Sequence, residues 1–471
     1  MAADHPTLAR YEPTSADPFD RVKAAHLLNR AGFGGNAEEI DKVLKLGPGG
    51  AVDWLLSFPN QNADEQNAKD VPDLSAIDGI GANFRELRRK LVGKTPQERK
   101  ELMQQIRMAN REAFLATFGW WMKRMSGPAH PLQEKLTLFW HGHFTTSFRE
   151  EKSALLVWEQ NELLRKYAAG NFKELLKRIS RDPAMLDYLN NNQNRKDHPN
   201  ENYAREVMEL FTLGIGNYSE TDVKEAARAF TGWMHDGSEF FFNRRQHDAG
   251  VKHFLGKSGN FTGNDVLEII LARPRCAKFI ASELFEFLAY PNPDSNVVES
   301  LAATFRNSDY ELRPLLKAIL TSREFYSESA IGTQIKSPVQ LVAGTIHLLG
   351  VTTPPPPQMM GALQLMGQVP LMPPNVKGWP GGETWINAST MFTRYNSGVR
   401  LAQGPIDFGN LSDSTDPETV VRTLVDRLIQ RPVADDKRQV LVEGFKSRPQ
   451  KPQAMREVVQ LIVSMPEYQL C

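Results

Sequence analysis

Two histidines separated by one glycine, His141 and His143, come at the end of an apolar helical pattern that runs to about residue 140. Neutral imidazole is the commonest metal ligand in proteins. On non-helical backbone, residues i and i+2 point to the same side, so both rings could bind one divalent metal ion. The alternative interpretation is that the two imidazoles cap helix carbonyls and fill the core.

A second polar segment lies in a predicted helix over residues 201–213. Asn202, Glu206 and Glu209 fall at i, i+4 and i+7, on one face of that helix. Two carboxylates three residues apart suit a divalent metal, so Glu206 and Glu209 are candidate ligands and Asn202 a candidate substrate contact. Arg205 could hold an anionic group of the substrate. Glu201, Arg205 and Glu209 are also spaced one turn apart, which fits a structural salt-bridge network centred on Arg205.

A third segment places His247, Asp248 and Lys252 within six residues of a predicted turn. His247 could act as a metal ligand or a general base, with Asp248 orienting it or binding the metal, and Lys252 could contact an anion. These three residues and Arg205 are the candidate catalytic residues. The alternative is a structural turn in which Asp248 accepts hydrogen bonds from backbone amides.

Two tryptophans, Trp379 and Trp385, lie in a predicted loop rich in glycine and proline. Loops of this composition often carry binding residues, and indole rings suit contacts to sugars or peptides. We therefore predict that both tryptophans bind substrate as a rim or lid. A rigid loop packed on the core is the alternative.

Helical periodicity dominates the segments that must position these residues. Phe114, Phe118, Trp121 and Met125 follow the i, i+4, i+7, i+11 spacing and should face a core. Residues 239–243 and 251–255 are the best strand candidates, and they could pair as one hairpin. The pattern predicts a mainly α fold: a single large multi-helical domain over residues 20–468, with one small β-hairpin insertion and long irregular loops, after an N-terminal extension over residues 1–19.

The composition excludes several classes of protein. The chain has 471 residues, with 56 Lys plus Arg and 56 Asp plus Glu, so bulk charge does not favour nucleic acid as a partner. No uninterrupted apolar run is long enough to span a membrane. No basic segment followed by an apolar one marks a secretory signal at the start, so we expect a cytoplasmic protein.

The charges are unevenly distributed along the chain. Residues 337–376 contain no Asp, Glu, Lys or Arg, and prolines interrupt this stretch. We expect it to pack as core or to line an apolar pocket. Residues 85–111 are rich in Lys and Arg, which is typical of a solvated helix face; an anionic substrate or partner is the alternative.

Several motifs together resemble the bacterial family called domain of unknown function 1800. They are AHLLNRAGFG (25–34), LFWHGHF (138–144), NENYARE (200–206), LFTLG (210–214), AFTGW (229–233), HDAGVK (247–252) and PNVKGWPGG (374–382). The resemblance covers nearly the whole chain and implies one helical domain. Relatives are commonly encoded beside proteins similar to alkaline phosphatases and sulfatases, which implies such a partner. Many relatives carry export signals, and many have histidine where this chain has Phe211.

Two functions follow from these observations. The first is a metal-dependent enzyme, hydrolytic or oxidative, in which His141, His143, Glu206 and Glu209 bind a divalent metal that polarises water or dioxygen. The second is a non-catalytic accessory or assembly protein that works with a partner enzyme. An exposed apolar patch within residues 337–376 would favour the second, and convergence of the polar segments on one cleft would favour the first.

Overall fold

The computed structural model of the protein describes residues 8–58, 70–78, 89–127, 129–412 and 416–471. Residues 1–7 of the predicted extension and residues 85–88 of the basic run lie outside the described residues. The helices of the first half are α1 (Arg21–Arg30), α2 (Ala37–Leu55), α3 (Pro96–Met125), α4 (Pro131–His143), α5 (Phe148–Glu151), α6 (Ala154–Lys166), α7 (Phe172–Ile179), α8 (Pro183–Tyr188), α9 (Asn202–Glu209) and α10 (Glu220–Ala229).

Two small antiparallel hairpins follow α10. Strand β1 (Trp233–His235) pairs with β2 (Phe240–Phe242), and β3 (Lys252–Phe254) pairs with β4 (Lys257–Gly259). The remaining helices are α11 (Gly263–Leu271), α12 (Pro274–Leu288), α13 (Ser295–Asn307), α14 (Leu312–Leu320), α15 (Pro338–Leu349), α16 (Pro356–Met366), α17 (Ala388–Ala402), α18 (Pro417–Leu428), α19 (Asp435–Lys446) and α20 (Lys451–Ser464). The mainly α fold class is therefore confirmed.

The predicted pairing of residues 239–243 with 251–255 is wrong, although both segments contain a strand. Each pairs instead with its nearest neighbour along the chain. Strands β3 and β4 are joined by Leu255 and Gly256, which have φ values of 45° and 77°. Positive φ at both central residues is typical of the type I′ two-residue hairpin turn, so the local turn sets the pairing.

Two apolar clusters form the core of the described residues. One is built around α1, α2, α7 and α11–α14, and the other around α3 and α15–α20. Helix α4 contributes to both, with Trp140 in the first cluster and Leu138 in the second. The predicted core residues of α3, Phe114, Phe118, Trp121 and Met125, are all buried. The domain boundaries at residues 19 and 468 remain a prediction.

A buried carboxylate joins three helices of the first half. Glu134 of α4 accepts hydrogen bonds from Arg124 of α3 at 2.7 Å and from Arg165 of α6 at 2.8 Å. The indole N–H of Trp121 donates to the same carboxylate at 2.9 Å. Burial alone would raise the pKa of Glu134, but the two guanidinium groups lower it to about 2. Glu134 therefore links α4, which carries the two histidines, to α3 and α6.

The charge-free segment forms α15, α16 and the chain that follows them. Helix α15 is buried along almost its whole length. Helix α16 buries Met359, Leu363 and Met366 on one face, while Leu365 is 67% exposed. No helix within the described ranges is long and apolar enough to cross a membrane.

Candidate functional site

The two histidines of the first predicted segment point in different directions. Helix α4 continues through His143, so the prediction of non-helical backbone there is wrong. Two residues apart on an α-helix are separated by about 200° around its axis, and the rings therefore diverge. His141 packs between the indole rings of Trp121 and Trp379, whereas His143 faces Phe211 and Phe279.

Protein groups already occupy one nitrogen of each ring. The Nε2 atom of His141 accepts a hydrogen bond from the backbone N–H of Leu371 at 3.1 Å. The Nε2–H of His143 donates to the backbone carbonyl of Phe211 at 3.0 Å. Burial lowers the pKa of His141 to about 3 and that of His143 to about 4, so both rings are neutral at neutral pH. These contacts match the alternative in which the imidazoles fill the core.

The carboxylates of α9 lie near the loop that contains Trp379. Burial and the neighbouring Glu209 raise the pKa of Glu206, and Arg205 and Lys377 oppose that rise. The carboxylate of Glu209 accepts a hydrogen bond from the Tyr218 hydroxyl at 2.5 Å. Of the two carboxylates, Glu206 thus has the less favourable environment for a negative charge.

The remaining polar residues of α9 face solvent or form ion pairs. Asn202 is exposed at the first position of the helix. Arg205 pairs with Glu201 at 3.2 Å and with Glu220 of α10 at 2.7 Å. The pair with Glu201 is the one that the spacing allowed, but Glu220 takes the place expected for Glu209, and Arg205 is engaged on two sides.

The third segment forms a self-contained polar turn. Asp248 accepts hydrogen bonds from Arg228 at 2.7 Å and from the backbone N–H of Gly250 at 2.8 Å. The Nδ1 atom of His247 bonds to the carbonyl of Thr231 at 2.9 Å. Lys252 is fully buried, and its ammonium donates to the carbonyls of Asp248 and Gly250.

The tryptophan loop packs on the end of α4. Trp379 lies over Gly142 and His141, and Trp385 is buried. Gly378 has a φ of 76°, and a Cβ atom there would lie 2.3 Å from the carbonyl oxygen of Gly142. Only glycine fits both the backbone angle and the contact. The loop thus matches the alternative of a rigid segment packed on the core.

The structure brings two of the predicted segments close to the tryptophan loop. Gly142, between His141 and His143, touches the loop at Gly378, and Glu206 lies close enough to Lys377 for its pKa to respond. Within the described parts of the chain, no group of three or more His, Cys, Asp and Glu side chains is arranged to hold a metal ion. Metal binding by His141, His143, Glu206 and Glu209 therefore stays a prediction.

An open apolar groove lies elsewhere, between α16 and α17, and none of the candidate site residues lines it. Its volume is about 520 Å³. Leu365 of α16 and Phe392 of α17 line it and are 67% and 71% exposed. Its other lining residues are Val342, Val351, Thr352, Pro354, Pro357, Gln358, Met359, Gly361, Ala362, Thr393, Asn396, Ser397, Arg400, Leu401, Gly404 and Pro405. We call this surface the α16–α17 groove.

The charge-free residues 337–376 indicate one wall of this groove in the sequence. They supply the α16 wall, as expected of a segment that lines an apolar pocket. The α17 wall has mixed composition, and its own pattern does not distinguish Phe392 from a core residue. The sequence pattern therefore does not single out Phe392 and Arg400.

Fold and groove together define a mainly helical protein with an open apolar groove and several polar clusters. The model of a protein family, described as protein of unknown function (DUF1800), matches residues 26–470. The chain belongs to this family, which confirms the resemblance seen in its motifs. No curated protein and no solved structure shows significant similarity to the chain.

Proposed function

We propose that this protein is a non-catalytic accessory protein that binds an apolar segment of a partner protein in the α16–α17 groove. The observation that carries the proposal is the groove itself, in which large apolar side chains such as Leu365 and Phe392 are exposed. Exposed contiguous apolar surface in a soluble fold is typical of an interaction site. The histidine and aspartate clusters, by contrast, are largely satisfied by internal hydrogen bonds.

The chemistry of the groove suits an amphipathic helix. Such helices bind in apolar grooves through side chains spaced about one turn apart. Arg400 is the charged residue of the lining, and it forms no ion pair with any described residue. An acidic residue beside the apolar face of the bound helix would therefore pair with Arg400. We propose that the helix belongs to the phosphatase- or sulfatase-like neighbour that the family resemblance implies.

Replacing Phe392 by glutamate tests the proposal. Burial of an exposed aromatic or aliphatic side chain contributes about 1.5–3 kcal/mol. The Phe392→Glu variant should therefore bind the purified phosphatase-like neighbour at least about tenfold more weakly in sedimentation velocity. Phe392 is exposed, so the fold should tolerate the change.

Val440→Glu is the matched control. Val440 is 57% exposed on α19 and does not line the groove, so this variant should bind like the wild type. Equal affinity of Phe392→Glu and wild type would overturn the proposal. So would the absence of any complex between the wild type and the neighbour protein.

A second proposal is the metal-dependent enzyme with a divalent ion at Glu206 and Glu209. Its support is that burial and Glu209 raise the pKa of Glu206, and a divalent cation would relieve this repulsion. Elemental analysis of the purified protein would then show stoichiometric metal, and a Glu206→Gln variant would show much less. Equal metal content in both would contradict it.

A further inference from the structure

A second pocket lies on the opposite side of α16, against α3 and α5. Its volume is about 310 Å³, within the range of small-molecule sites. The apolar part of its lining includes Phe114, Leu115, Phe148, Met360, Val369 and Met372. The ring of Phe148 stacks on the buried ring of Phe114 at 4.2 Å between centroids, so Phe148, the more exposed of the two, supplies the aromatic surface of the pocket. Flexible Met side chains beside an aromatic ring suit an extended alkyl chain.

Four cations surround this apolar surface. Arg107 and Arg111 lie on α3, Arg149 lies on α5, and Lys152 directly follows the last residue of α5. All four are exposed, and none forms an ion pair with a described residue. No Asp or Glu lines the pocket among the residues that the structure describes.

A ligand with an anionic group beside an apolar body matches both parts of this lining. The four positive charges would repel a cation, and a neutral hydrocarbon would make no use of them. An inorganic anion would leave the aromatic surface exposed. An alkyl chain that ends in a carboxylate satisfies both parts, because arginine binds carboxylates through two parallel hydrogen bonds.

We propose that this pocket, which we call the cationic pocket, binds a free alkyl carboxylate of the fatty-acid class. The alkyl chain lies on Phe148, Met360 and Met372, and the carboxylate pairs with Arg111 and Arg149. The site is separate from the α16–α17 groove, because Phe392 and Leu365 do not line it.

Isothermal titration calorimetry with decanoate tests the proposal, at concentrations below those at which it forms micelles. Decanoate should bind one site, and decyltrimethylammonium and acetate should bind at least tenfold more weakly, because each lacks one half of the required chemistry. Raising the salt concentration should weaken decanoate binding, since the cations are exposed. Equal affinity for decanoate and decyltrimethylammonium would overturn the proposal.

Charge-matched variants separate the pocket from general surface charge. The Arg111→Gln/Arg149→Gln variant should lose at least tenfold in affinity for decanoate, and Met360→Gln several-fold. Lys45→Gln/Lys100→Gln removes the same charge from exposed positions outside the pocket and should bind like the wild type. An equal loss in both charge variants would overturn the proposal.

Two further experiments test whether decanoate binds in the α16–α17 groove and whether the cations bind a membrane surface instead. Phe392→Glu, in the α16–α17 groove, should leave the affinity for decanoate unchanged; a tenfold loss there would overturn the proposal. Vesicles that contain an anionic phospholipid should not compete with decanoate. Binding to these vesicles without binding to free decanoate would also overturn it and assign the four cations to a membrane surface.

Discussion

The imidazole of His141 lies between the indole rings of Trp121 and Trp379, and its Nε2 atom accepts the backbone N–H of Leu371. This contact joins the end of α4 to the segment that follows α16. A buried N–H group without an acceptor is costly. At the scale of this residue, we infer that His141 holds two parts of the fold together, whether or not a metal binds nearby.

Replacing His141 by phenylalanine tests that role. The ring size is nearly kept, but the Leu371 N–H loses its acceptor, which should lower the free energy of unfolding by about 1–3 kcal/mol. Urea denaturation at pH 7 measures the loss. The side chain of His253 is exposed and, among the described residues, bonds to Ser258, while its backbone N–H bond to Glu225 is kept in the variant. His253→Phe should therefore change the free energy of unfolding by less than about 0.5 kcal/mol.

Changing the pH and adding a chelator make the His141→Phe experiment more specific. Burial holds the pKa of His141 at about 3 in the folded state, below the ordinary value of 6.5, so folding disfavours its protonation. The wild type should therefore lose stability relative to the variant as the pH falls from about 6.5 towards 3. A chelator should leave the difference at pH 7 unchanged. Loss of that difference on chelation would assign His141 to a metal site instead.

Loop 371–382 packs on the end of α4 at Gly142, and its Lys377 lies near Glu206 of α9. Its fit on α4 depends on Gly378, whose missing side chain admits the carbonyl of Gly142. The sequence showed that a loop must occur here, because glycines and prolines interrupt the helical pattern. It could not show that the loop is packed rather than mobile, because that depends on a contact between residues far apart in sequence.

Gly378→Ala should destabilise this loop more than an ordinary glycine substitution. Gly216 has a similar φ of 81°, but a Cβ atom there would meet nothing within 4 Å. Both variants bear the strain of positive φ, and only Gly378→Ala adds the clash, which should cost about 1–3 kcal/mol more. Thermal unfolding of the two variants measures the difference. Equal melting temperatures would mean that the loop does not pack on Gly142 in solution.

The local sequence patterns predicted the helices well, but they did not predict the contacts between the helices. The spacing of Phe114, Phe118, Trp121 and Met125 predicted a buried face because helical periodicity is a property of one segment. The direction of His143 depended on one extra turn of α4, and helix ends are hard to locate from a pattern. The hairpins consist of three-residue strands, which are too short for alternation to set their pairing.

The whole molecule has equal numbers of acidic and basic residues, but the charges are unevenly distributed over its surface. Two surfaces of different character lie on either side of α16. Leu365 of this helix lines the apolar α16–α17 groove, and Met360 and Gln364 line the cationic pocket. The charge-free stretch in the sequence predicted an apolar surface, but not that cations from α3 and α5 would flank it. That arrangement requires three helices separated in sequence to come together.

Hydrogen–deuterium exchange of the whole protein, with and without the phosphatase-like neighbour, tests the proposed function most directly. We predict slower amide exchange in α16 and α17 when the partner binds, because partner contacts would cover the α16–α17 groove and reduce local opening. Exchange in residues 202–209 and 247–252 should stay unchanged. Slower exchange in those two segments, with no change in α16 and α17, would contradict the proposal and locate the working site at the polar clusters.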